Sequence, residues 1–405
     1  MKQHKMSSLV GILLLALLIC TLGACGASQN TGTGGNPTAT QRATPTPTLY
    51  NPTSPIKAIR MLDHSKGWAL TDQNILLTTD GGQVWKDVTP SGSAYGKYAY
   101  GDFTNAKYAW VVSTAQPMDN SVNVLRTSDG GQHWQSSTIS VSAVMLLDLP
   151  HFLTTQEGFL ELSIGGGAAG SEGDGIFHTT DGGQNWTEVS NTQQAGGFPL
   201  GGRKNGISFK DAQNGLATGQ DASNNPWLYI THDGGHTWNA QSLPPINTDP
   251  TAQLNYKTTP PVFFGNTGYL PTTASGMFSA NAAAATTVMY IYKTTNGGAT
   301  WTLINPEHGF GNSNAAGWAS DDLYITDVNH AWGTDNAGQV WGTSDGFKNW
   351  QLLNSQMVGD PNSDMNIKAL SFADASYGWG ITKTKVLHTS DGGKTWSEIV
   401  YHFIA

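Results

Sequence analysis

An eight-residue motif, Thr-x-Asp-Gly-Gly-x-x-Trp, occurs seven times between residues 78 and 396 and constrains the fold more than any other feature. Consecutive copies place their tryptophans 46 to 63 residues apart. That period accommodates four short strands and their turns, which is the size of one propeller blade. The third position is Asp80, Asp129, Asp181, Asp233, Asn296, Asp345 or Asp391, and the last is Trp85, Trp134, Trp186, Trp238, Trp301, Trp350 or Trp396.

The motif has the chemistry of a turn between two strands. Its carboxylate is able to accept hydrogen bonds from the backbone N–H groups just ahead, and its glycines adopt positive φ without a Cβ clash. The tryptophan then buries a large apolar face between neighbouring sheets, which is worth about 2–3 kcal/mol. Two copies depart from the pattern, with Asn296 in place of Asp and Phe347 in place of the second glycine. We expect both of those blades to form.

A second signal precedes each motif. An apolar, strand-like run is followed by a polar turn and then by a small residue and an apolar one, as in Gly67-Trp68, Gly215-Leu216 and Gly378-Trp379. Each repeat therefore contains four strands, A to D, with the motif between C and D. High glycine content (49 residues), 10% aromatic residues and only 12% charged residues also favour an all-β chain. We predict an all-β, seven-bladed β-propeller over residues 55–405, with four antiparallel strands per blade.

The N-terminal segment has the features of a secretory signal. Lys2 and Lys5 precede a short apolar run, and small residues lead to Cys25. Leu22-Gly23-Ala24-Cys25 resembles a bacterial lipobox, in which the enzyme cleaves before the cysteine and attaches lipid to its sulfur. We therefore predict a lipoprotein signal peptide at residues 1–24 and a lipidated Cys25. The alternative is an uncleaved membrane anchor, and both place the body outside the cytoplasm.

Residues 25–54 are rich in Thr, Pro and Gly and contain almost no large apolar residue. Such a segment buries too little surface to offset its ordering entropy, so we predict a disordered tether. The only cysteines are Cys20 and Cys25, which excludes disulfides and thiol catalysis in the body. Removal of residues 1–24 changes the net charge from −9 to −11 (18 basic against 29 acidic residues), and no basic cluster occurs. We expect no nucleic-acid partner, no metal, no cofactor, and a monomer that meets the membrane only through its lipid.

The seven motifs resemble the Asp boxes of bacterial neuraminidase (BNR) repeats. Those repeats occur in sialidases, sortilin-type receptors, xyloglucan-degrading hydrolases and the photosystem II assembly factor family. The spacing from strand A to the Gly-Trp element is closest to the photosystem II assembly factor type, and this resemblance implies a seven-bladed propeller without catalysis. That family is associated with an arginine-rich patch that contacts its client protein. This chain has only four arginines and no such patch, so the resemblance does not imply that it binds the same client protein.

The Asp boxes are C–D turns, which share one face of a propeller with the A–B turns. We expect a structural role for all seven and place any ligand on the opposite face, formed by the B–C and D–A loops and called the loop face below. The loop face carries the long loops of blades three and five (163–175 and 271–287) and the connections into blades four and six. The candidate ligand residues are Glu172, Asp174, Arg203, Phe278, His308, Phe310, Trp318 and Asp321. The alternative is that these loops are tolerated insertions without a ligand.

One polar position recurs in the A strands, between two apolar neighbours. Aligned on the Gly-Trp element, it is occupied by Arg60, Asp102, His151, Ser208, Tyr324 and Ser371, and it is undetermined in blade five. Strand A is the innermost strand, so these residues form a predicted ring in the central channel. Two interpretations remain open: a hydrogen-bonded plug that satisfies the channel, or a ligand site.

The residue types present limit the catalytic mechanisms that are possible for this chain. The resemblance to sialidases requires three arginines on the substrate carboxylate, but Arg42 lies in the tether and Arg126 directly precedes an Asp box, so the clamp cannot form. No Ser-His-Asp, metal-ligand or phosphate-loop spacing occurs. We therefore predict no catalytic residues and a surface module that binds a protein or a glycan through its loop face. The alternative is a carbohydrate-active enzyme, a hydrolase or lyase, with two carboxylates such as Glu172 and Asp321.

Overall fold

The computed structural model describes residues 48–50, 54–92, 95–96, 98–165, 173–247, 249–282, 285–304, 323–335, 338–354 and 366–404. These residues form 31 β-strands in seven sheets, and no helix occurs among them. The strands A to D of each blade pair in antiparallel fashion, so the predicted seven-bladed propeller is confirmed. The predicted signal peptide, Cys25 and most of the predicted tether lie outside the described residues.

The first three blades are as follows. Blade one contains β1 (Ala58–Met61), β2 (Gly67–Leu70), β3 (Ile75–Thr78) and β4 (Val84–Asp87). Blade two contains β5 (Tyr98–Phe103), β6 (Ala109–Thr114), β7 (Ser121–Thr127) and β8 (Gln135–Ser140). Blade three contains β9 (Leu146–Leu147), β10 (His151–Phe152), β11 (Gly158–Ser163), β12 (Asp174–Thr179) and β13 (Thr187–Asn191), with β9 and β10 both paired to β11.

Four further blades and one added strand complete the ring. Blade four contains β14 (Arg203–Phe209), β15 (Gly215–Gln220), β16 (Pro226–Thr231) and β17 (Asn239–Ala240). Blade five contains β18 (Gln253–Thr258), β19 (Val262–Phe264), β20 (Thr267–Met277), β21 (Thr286–Thr294) and β22 (Thr302–Ile304). Blade six contains β23 (Tyr324–Ile325), β24 (Ala331–Thr334), β25 (Val340–Thr343) and β26 (Gln351–Leu352). Blade seven contains β27 (Ala369–Phe372), β28 (Gly378–Ile381), β29 (Val386–Thr389) and β30 (Ser397–Ile399), and β31 (His402–Ile404) follows it.

The long loop predicted in blade five is mostly strand. β20 continues to Met277 and β21 begins at Thr286, so the expected loop at 271–287 is reduced to the tip of a long hairpin. The prediction was wrong because the small residues of this segment resemble a loop in composition. Thr272 is paired with Tyr290, and its β-branched side chain is fully buried.

In six of the blades, the small residue that begins strand B makes room for the last residue of strand A. That last residue lies directly across the sheet, as in the pairs Phe152–Gly158 and Phe372–Gly378. A Cβ atom on Gly158 would lie 2.6 Å from the Phe152 ring, and one on Gly378 would lie 2.4 Å from the Phe372 ring. Glycine is therefore required where a phenyl ring covers the backbone.

These phenyl rings form the contact between neighbouring blades. The residue after the small one, an aromatic in most blades, stacks on the strand-A phenylalanine of the next blade. Ring centroids are 3.9 Å apart for Trp110 and Phe152, and 3.8 Å apart for Trp332 and Phe372. The indole Nε1 of Trp110 also donates a hydrogen bond to the Gly182 carbonyl in the next Asp box, at 2.9 Å. The hydrophobic core is thus a series of clusters between the sheets.

The ring closes between blade seven and blade one. The indole of Trp379 donates to the Gly81 carbonyl at 2.9 Å, as Trp110 and Trp332 donate to a glycine carbonyl of the next Asp box. In addition, β31 pairs in parallel with β4 and becomes a fifth, outer strand of blade one. Phe403 in that strand is 1% exposed, and Tyr50 forms an antiparallel bridge with it. Residues from both ends of the described chain therefore seal the junction.

Each Asp box is tied to the A–B turn of its own blade. The N–H of the first glycine donates to a carbonyl of that turn in all seven blades, at 2.7 to 3.2 Å, as Gly81 does to Ser65. Within the first box, Thr78 Oγ1 donates to Asp80 Oδ1 and Val84 N donates to the same oxygen, at 2.9 and 3.0 Å. No Asp-box tryptophan is exposed. The boxes and A–B turns therefore share one face, called the Asp-box face below.

Asn296 makes the turn bonds that the aspartates make elsewhere. Its Oδ1 accepts from Thr294 Oγ1 at 2.8 Å and from Thr300 N at 3.0 Å, and its Nδ2 donates to Thr300 Oγ1. The turn geometry needs an oxygen acceptor at this position, and the amide supplies one. The turn geometry therefore does not require the negative charge.

The charge of the Asp-box carboxylates makes the stability of the fold depend on pH. Partial burial alone would raise the pKa of Asp391, but hydrogen bonds from Thr395 and Thr389 lower it to about 2. Because this lies below the value of about 4 in an unfolded chain, the carboxylate stabilises the fold at neutral pH, and that contribution is lost as the pH falls from about 4 to about 2.

We expect Asp391→Asn to reduce the loss of stability on acidification, because the amide keeps the turn bonds and does not titrate. Urea unfolding near neutral pH and at about pH 3 measures the free energy of unfolding in both proteins. Asp391→Ala serves as the comparison and should be less stable than Asp391→Asn at neutral pH, by about 1–3 kcal/mol. Equal acid sensitivity of Asp391→Asn and the parent protein would contradict the assignment.

Candidate functional site

The structure describes three of the eight candidate ligand residues. Glu172, His308, Phe310, Trp318 and Asp321 lie outside the described residues, so their role stays a prediction. Asp174 begins β12, Arg203 begins β14, and Phe278 follows the end of β20. All three therefore lie at the loop-face ends of their strands. They belong to different environments.

Asp174 is buried rather than displayed on the loop face. Its carboxylate lies 3.3 Å from Lys204 Nζ, and the two side chains are 1% and 2% exposed. Lys204 Nζ also donates to the Leu200 carbonyl at 3.0 Å and lies 5.9 Å from the centre of the Trp227 ring. This ion pair joins blade three to blade four. Breaking a buried ion pair is strongly destabilising, so its first role is structural.

Arg203 and Phe278 are the described candidates with some accessibility. Arg203 is exposed and pairs with Gln220 across the sheet. Phe278 is half-buried against the core of blade five, and its carbonyl accepts a hydrogen bond from Asn247 Nδ2 at 2.9 Å. The structure does not bring these two residues together with Asp174 into one cluster of contacts.

A set of exposed apolar side chains, which sequence reasoning missed, marks the loop face of blades two to four. Thirteen large apolar residues are exposed in the described part of the chain, and seven of them belong to this set. We call it the apolar patch: Tyr98, Tyr100, Met118, Met145, Leu146, Leu149 and Leu200. Single exposed apolar residues are ordinary, but a concentration of them on one face is typical of an interaction site.

The backbone explains why these residues are neighbours. β9, with Leu146, pairs with the loop-face end of β11 and lies beside β5, which begins at Tyr98. The N–H of Met118 donates to the Val144 carbonyl at 2.8 Å, which brings the B–C loop of blade two against the same segment. Tyr98 and Tyr100 alternate with buried Ala99, and this alternation is the one signal in the sequence that indicates their orientation.

The predicted channel ring has a common register. Arg60, Asp102, His151 and Tyr324 each pair across the sheet with the large residue that follows the small one in strand B, as Arg60 does with Trp68. The undetermined position in blade five is Val262, which pairs with Tyr269. The ring is therefore polar in six blades and apolar in the fifth.

The polar members bond to their neighbours in different ways. Arg60 Nη1 donates to the Tyr324 hydroxyl, so it bonds across to blade six rather than to Asp102. Asp102 Oδ2 accepts from the Phe152 N–H at 2.7 Å, and His151 Nε2 lies 2.8 Å from the Phe209 carbonyl oxygen, to which it donates. Burial raises the pKa of Asp102 and lowers that of Arg60, while the opposite charge of each partly offsets the shift of the other.

A second channel carboxyl, Asp148, was not predicted. Burial raises its pKa to about 6, although the Leu149 N–H, which donates to it at 2.7 Å, works in the opposite direction. A Cβ atom on Gly206 of β14 would lie 2.6 Å from Asp148 Oδ2, so this carboxyl packs directly on the backbone of blade four. The sequence signal for it is weak because Asp148 precedes β10 and falls outside the aligned strand-A position.

Neither a metal site nor a membrane-spanning helix is found in the described part of the chain. No group of three or more His, Cys, Asp or Glu side chains is placed to hold a metal ion there. No described helix is long and apolar enough to cross a membrane.

The comparisons with known proteins agree with this architecture. Residues 97–246 match the model of the family described as photosynthesis system II assembly factor YCF48, and these residues contain blades two to four. No curated protein sequence matches the chain significantly.

Solved structures extend the likeness over most of the chain. YCF48 bound to D1 peptide is 18% identical with a TM-score of 0.55, covering 84% of this chain and 92% of its own. YCF48 from Cyanidioschyzon merolae is also 18% identical, with a TM-score of 0.52 and coverage of 84% and 95%. The GH74 xyloglucanase from Xanthomonas campestris is 14% identical, with a TM-score of 0.57, and covers 86% of this chain but only 54% of its own.

At these identities the structural matches establish the fold and not the activity. The resemblance inferred from the Asp boxes is confirmed by the family model over blades two to four and by the fold of the YCF48 structures. The chain is therefore a seven-bladed Asp-box propeller that is similar in sequence to the photosystem II assembly factor YCF48 over blades two to four, and similar to it in fold over most of its length.

Proposed function

We propose that the protein is a non-catalytic binding module that holds an extended segment of a partner protein on the loop face of blades two to four. The apolar patch is the observation that carries this proposal. It lies on the three blades that match the YCF48 family model, and one YCF48 structure of the same fold contains a bound peptide. A similar propeller thus accommodates a peptide.

The chemistry of the patch favours a peptide over a glycan. Met118, Met145 and Leu146 offer only apolar surface, which complements the aliphatic and aromatic side chains of a protein segment. A glycan would need convergent polar groups that fix its hydroxyls. Tyr98 and Tyr100 add rigid rings with a polar end, a residue type that often dominates binding energy at protein interfaces.

The test uses the full chain against an immobilised array of peptides that differ in apolar and aromatic content. We expect saturable binding to apolar peptides, and we expect Leu146→Asp to weaken it about tenfold or more, because a carboxylate would be desolvated in the contact. Leu352→Asp introduces the same charge at an exposed leucine of blade six and should leave binding unchanged. Binding to glycans only, or equal binding by both variants, would contradict the proposal.

A carbohydrate-active enzyme, hydrolase or lyase, is the alternative function. The likeness to the xyloglucanase fold is the observation in its favour, although this chain covers 54% of that enzyme. Its proposed carboxylates, Glu172 and Asp321, lie outside the described residues. Reducing ends released from a polysaccharide panel, and abolished by Glu172→Gln or Asp321→Asn, would favour this alternative over the binding module.

We further propose that Cys25 carries a lipid that holds the protein at the outer side of the membrane. The lipobox-like Leu22-Gly23-Ala24-Cys25 supports this, together with the absence of any other cysteine after the leader. Cys25→Ser is expected to release the chain from the membrane fraction or to leave it unprocessed. Membrane retention of a fully processed Cys25→Ser chain would contradict lipid attachment.

A further inference from the structure

The central channel opens on the Asp-box face into a cavity of about 700 Å³. The ends of the A strands of blades one, five, six and seven line it, together with the A–B turns of blades one and two. Pockets for small organic ligands typically enclose roughly 300–1,000 Å³. The cavity is therefore large enough for such a molecule, and it lies on the face opposite the apolar patch.

The cavity is basic in a chain whose net charge is −9. Arg60, Lys66 and Lys107 line one side of it, and Asp63 is the single carboxylate among the lining residues that the structure describes. Oδ1 of Asp63 accepts hydrogen bonds from Ser65 N, Ser65 Oγ and Lys66 N, all at 2.8 Å, so this group is engaged in its own turn. A concave site of one sign concentrates ligands of the opposite charge.

Arg60 is accessible through the cavity, and its charge lacks a close partner. Its guanidinium donates to the Tyr324 hydroxyl and lies 5.4 Å from the centre of the Tyr324 ring. Within the described part of the chain, no carboxylate forms an ion pair with it, because Asp102 Oδ2 is turned toward the Phe152 N–H. Burial in the channel lowers the pKa of Arg60, and the charge of Asp102 only partly offsets this. An anion in the cavity would form charge-assisted hydrogen bonds with this guanidinium.

The opposite wall of the cavity is apolar. Val262 stands where the other blades place a polar ring residue, and Phe264 of the same strand and Ile325 of blade six also line the cavity. The cavity thus combines a planar cation on one side with aliphatic and aromatic groups on the other. A ligand that satisfies both has one anionic end and an apolar body.

We propose that this cavity is a binding site for a small organic carboxylate with an apolar body, held by Arg60 and covered by Val262 and Phe264. The planar guanidinium matches the two oxygens of a carboxylate, and Lys66 and Lys107 raise the local concentration of anions. This site is independent of the proposed peptide-binding surface, since the two lie on opposite faces. A failure of one proposal therefore leaves the other unaffected.

The experiment titrates the full chain with 3-phenylpropionate, its amide and phenyl phosphate, using calorimetry. We expect saturable binding of the carboxylate, binding of the amide at least about tenfold weaker, and no tighter binding of the phosphate. No saturable binding, or equal binding of carboxylate and amide, would overturn the proposal. Phenyl phosphate that binds about tenfold more tightly than the carboxylate would overturn the assignment of a carboxylate.

Two substitutions locate the site. Arg60→Gln should weaken binding of 3-phenylpropionate about tenfold or more. Val262→Asp should weaken it to a similar extent, because the new carboxylate faces Arg60 and repels the ligand. Val328→Asp is the matched control, since Val262 and Val328 are both 38% exposed and Val328 is not part of the cavity lining. Unchanged affinity in Val262→Asp, with Val328→Asp also unchanged, would contradict the location even if Arg60→Gln failed to fold.

Discussion

Phe347→Gly is expected to destabilise the propeller by about 2–4 kcal/mol, although it restores the glycine that the other six Asp boxes have. Phe347 has a positive φ of 70°, which a phenylalanine adopts at a cost of about 1 kcal/mol or more. Its side chain is nevertheless fully buried. Its ring stacks on that of Tyr269 in blade five, with the two ring centroids 4.2 Å apart. Removal of a buried phenyl ring costs roughly 3–5 kcal/mol, so the loss of packing exceeds the relief of strain.

The composition of strand A in blade six explains why Phe347 is needed there. Blades two, three, four, five and seven end strand A with a phenylalanine that packs between the sheets, but blade six ends it with Ile325. In the third blade, a Cβ atom on Gly183, the equivalent of Phe347, would lie 3.6 Å from the Phe152 ring. The second box glycine and the strand-A phenylalanine therefore border the same space. In blade six the ring enters that space from the Asp box, where Phe347 and Ile325 share one cluster.

The double variant Ile325→Phe/Phe347→Gly tests this exchange. We expect it to recover at least half of the stability lost in Phe347→Gly, because a phenyl ring again fills the space and the box regains its glycine. Urea unfolding of the parent, both single variants and the double variant gives the interaction free energy. Strictly additive effects of the two substitutions would show that the two positions do not share the same packing space.

Phe403→Ala is expected to lower the free energy of unfolding by about 3–4 kcal/mol. Phe403 is 1% exposed and belongs to the cluster between blades seven and one, together with Met61, Trp85 and Trp379. Its backbone pairs with both β4 and Tyr50. Loss of this side chain leaves a cavity at the junction that closes the ring, between blades seven and one.

Val400→Ala is the matched control for this prediction. Val400 lies three residues earlier and is 73% exposed, so its truncation should change the free energy of unfolding by less than about 0.5 kcal/mol. Equal stability of Phe403→Ala and Val400→Ala would show that the outer strand does not seal the ring. In that case the remaining contacts between blades seven and one would hold the junction, among them the hydrogen bonds Trp379–Gly81 and Met61–Ser371.

The sequence predicted the candidate sites less completely than it predicted the fold. The residue types of Asp174 and Lys204 do not indicate that they meet, because they lie 30 positions apart in different blades and pair only when the sheets pack. The predicted ring positions share one register in strand A, since this strand repeats with the same alternation in each blade, and their role stays a prediction. The apolar patch was missed because its members come from a strand, a B–C loop and two D–A connections, which share no periodicity.

The sequence by itself determined the number of blades, their four strands and the turn chemistry of each Asp box. Those features depend on residues a few positions apart, and they recur seven times, so each copy supports the others. Tertiary structure decided how Phe347 replaces a strand-A ring, how β31 closes the propeller, and which side chains meet in the channel and on the loop face. These outcomes depend on contacts between residues that are distant in the chain, and only the packing of sheet against sheet brings such residues together.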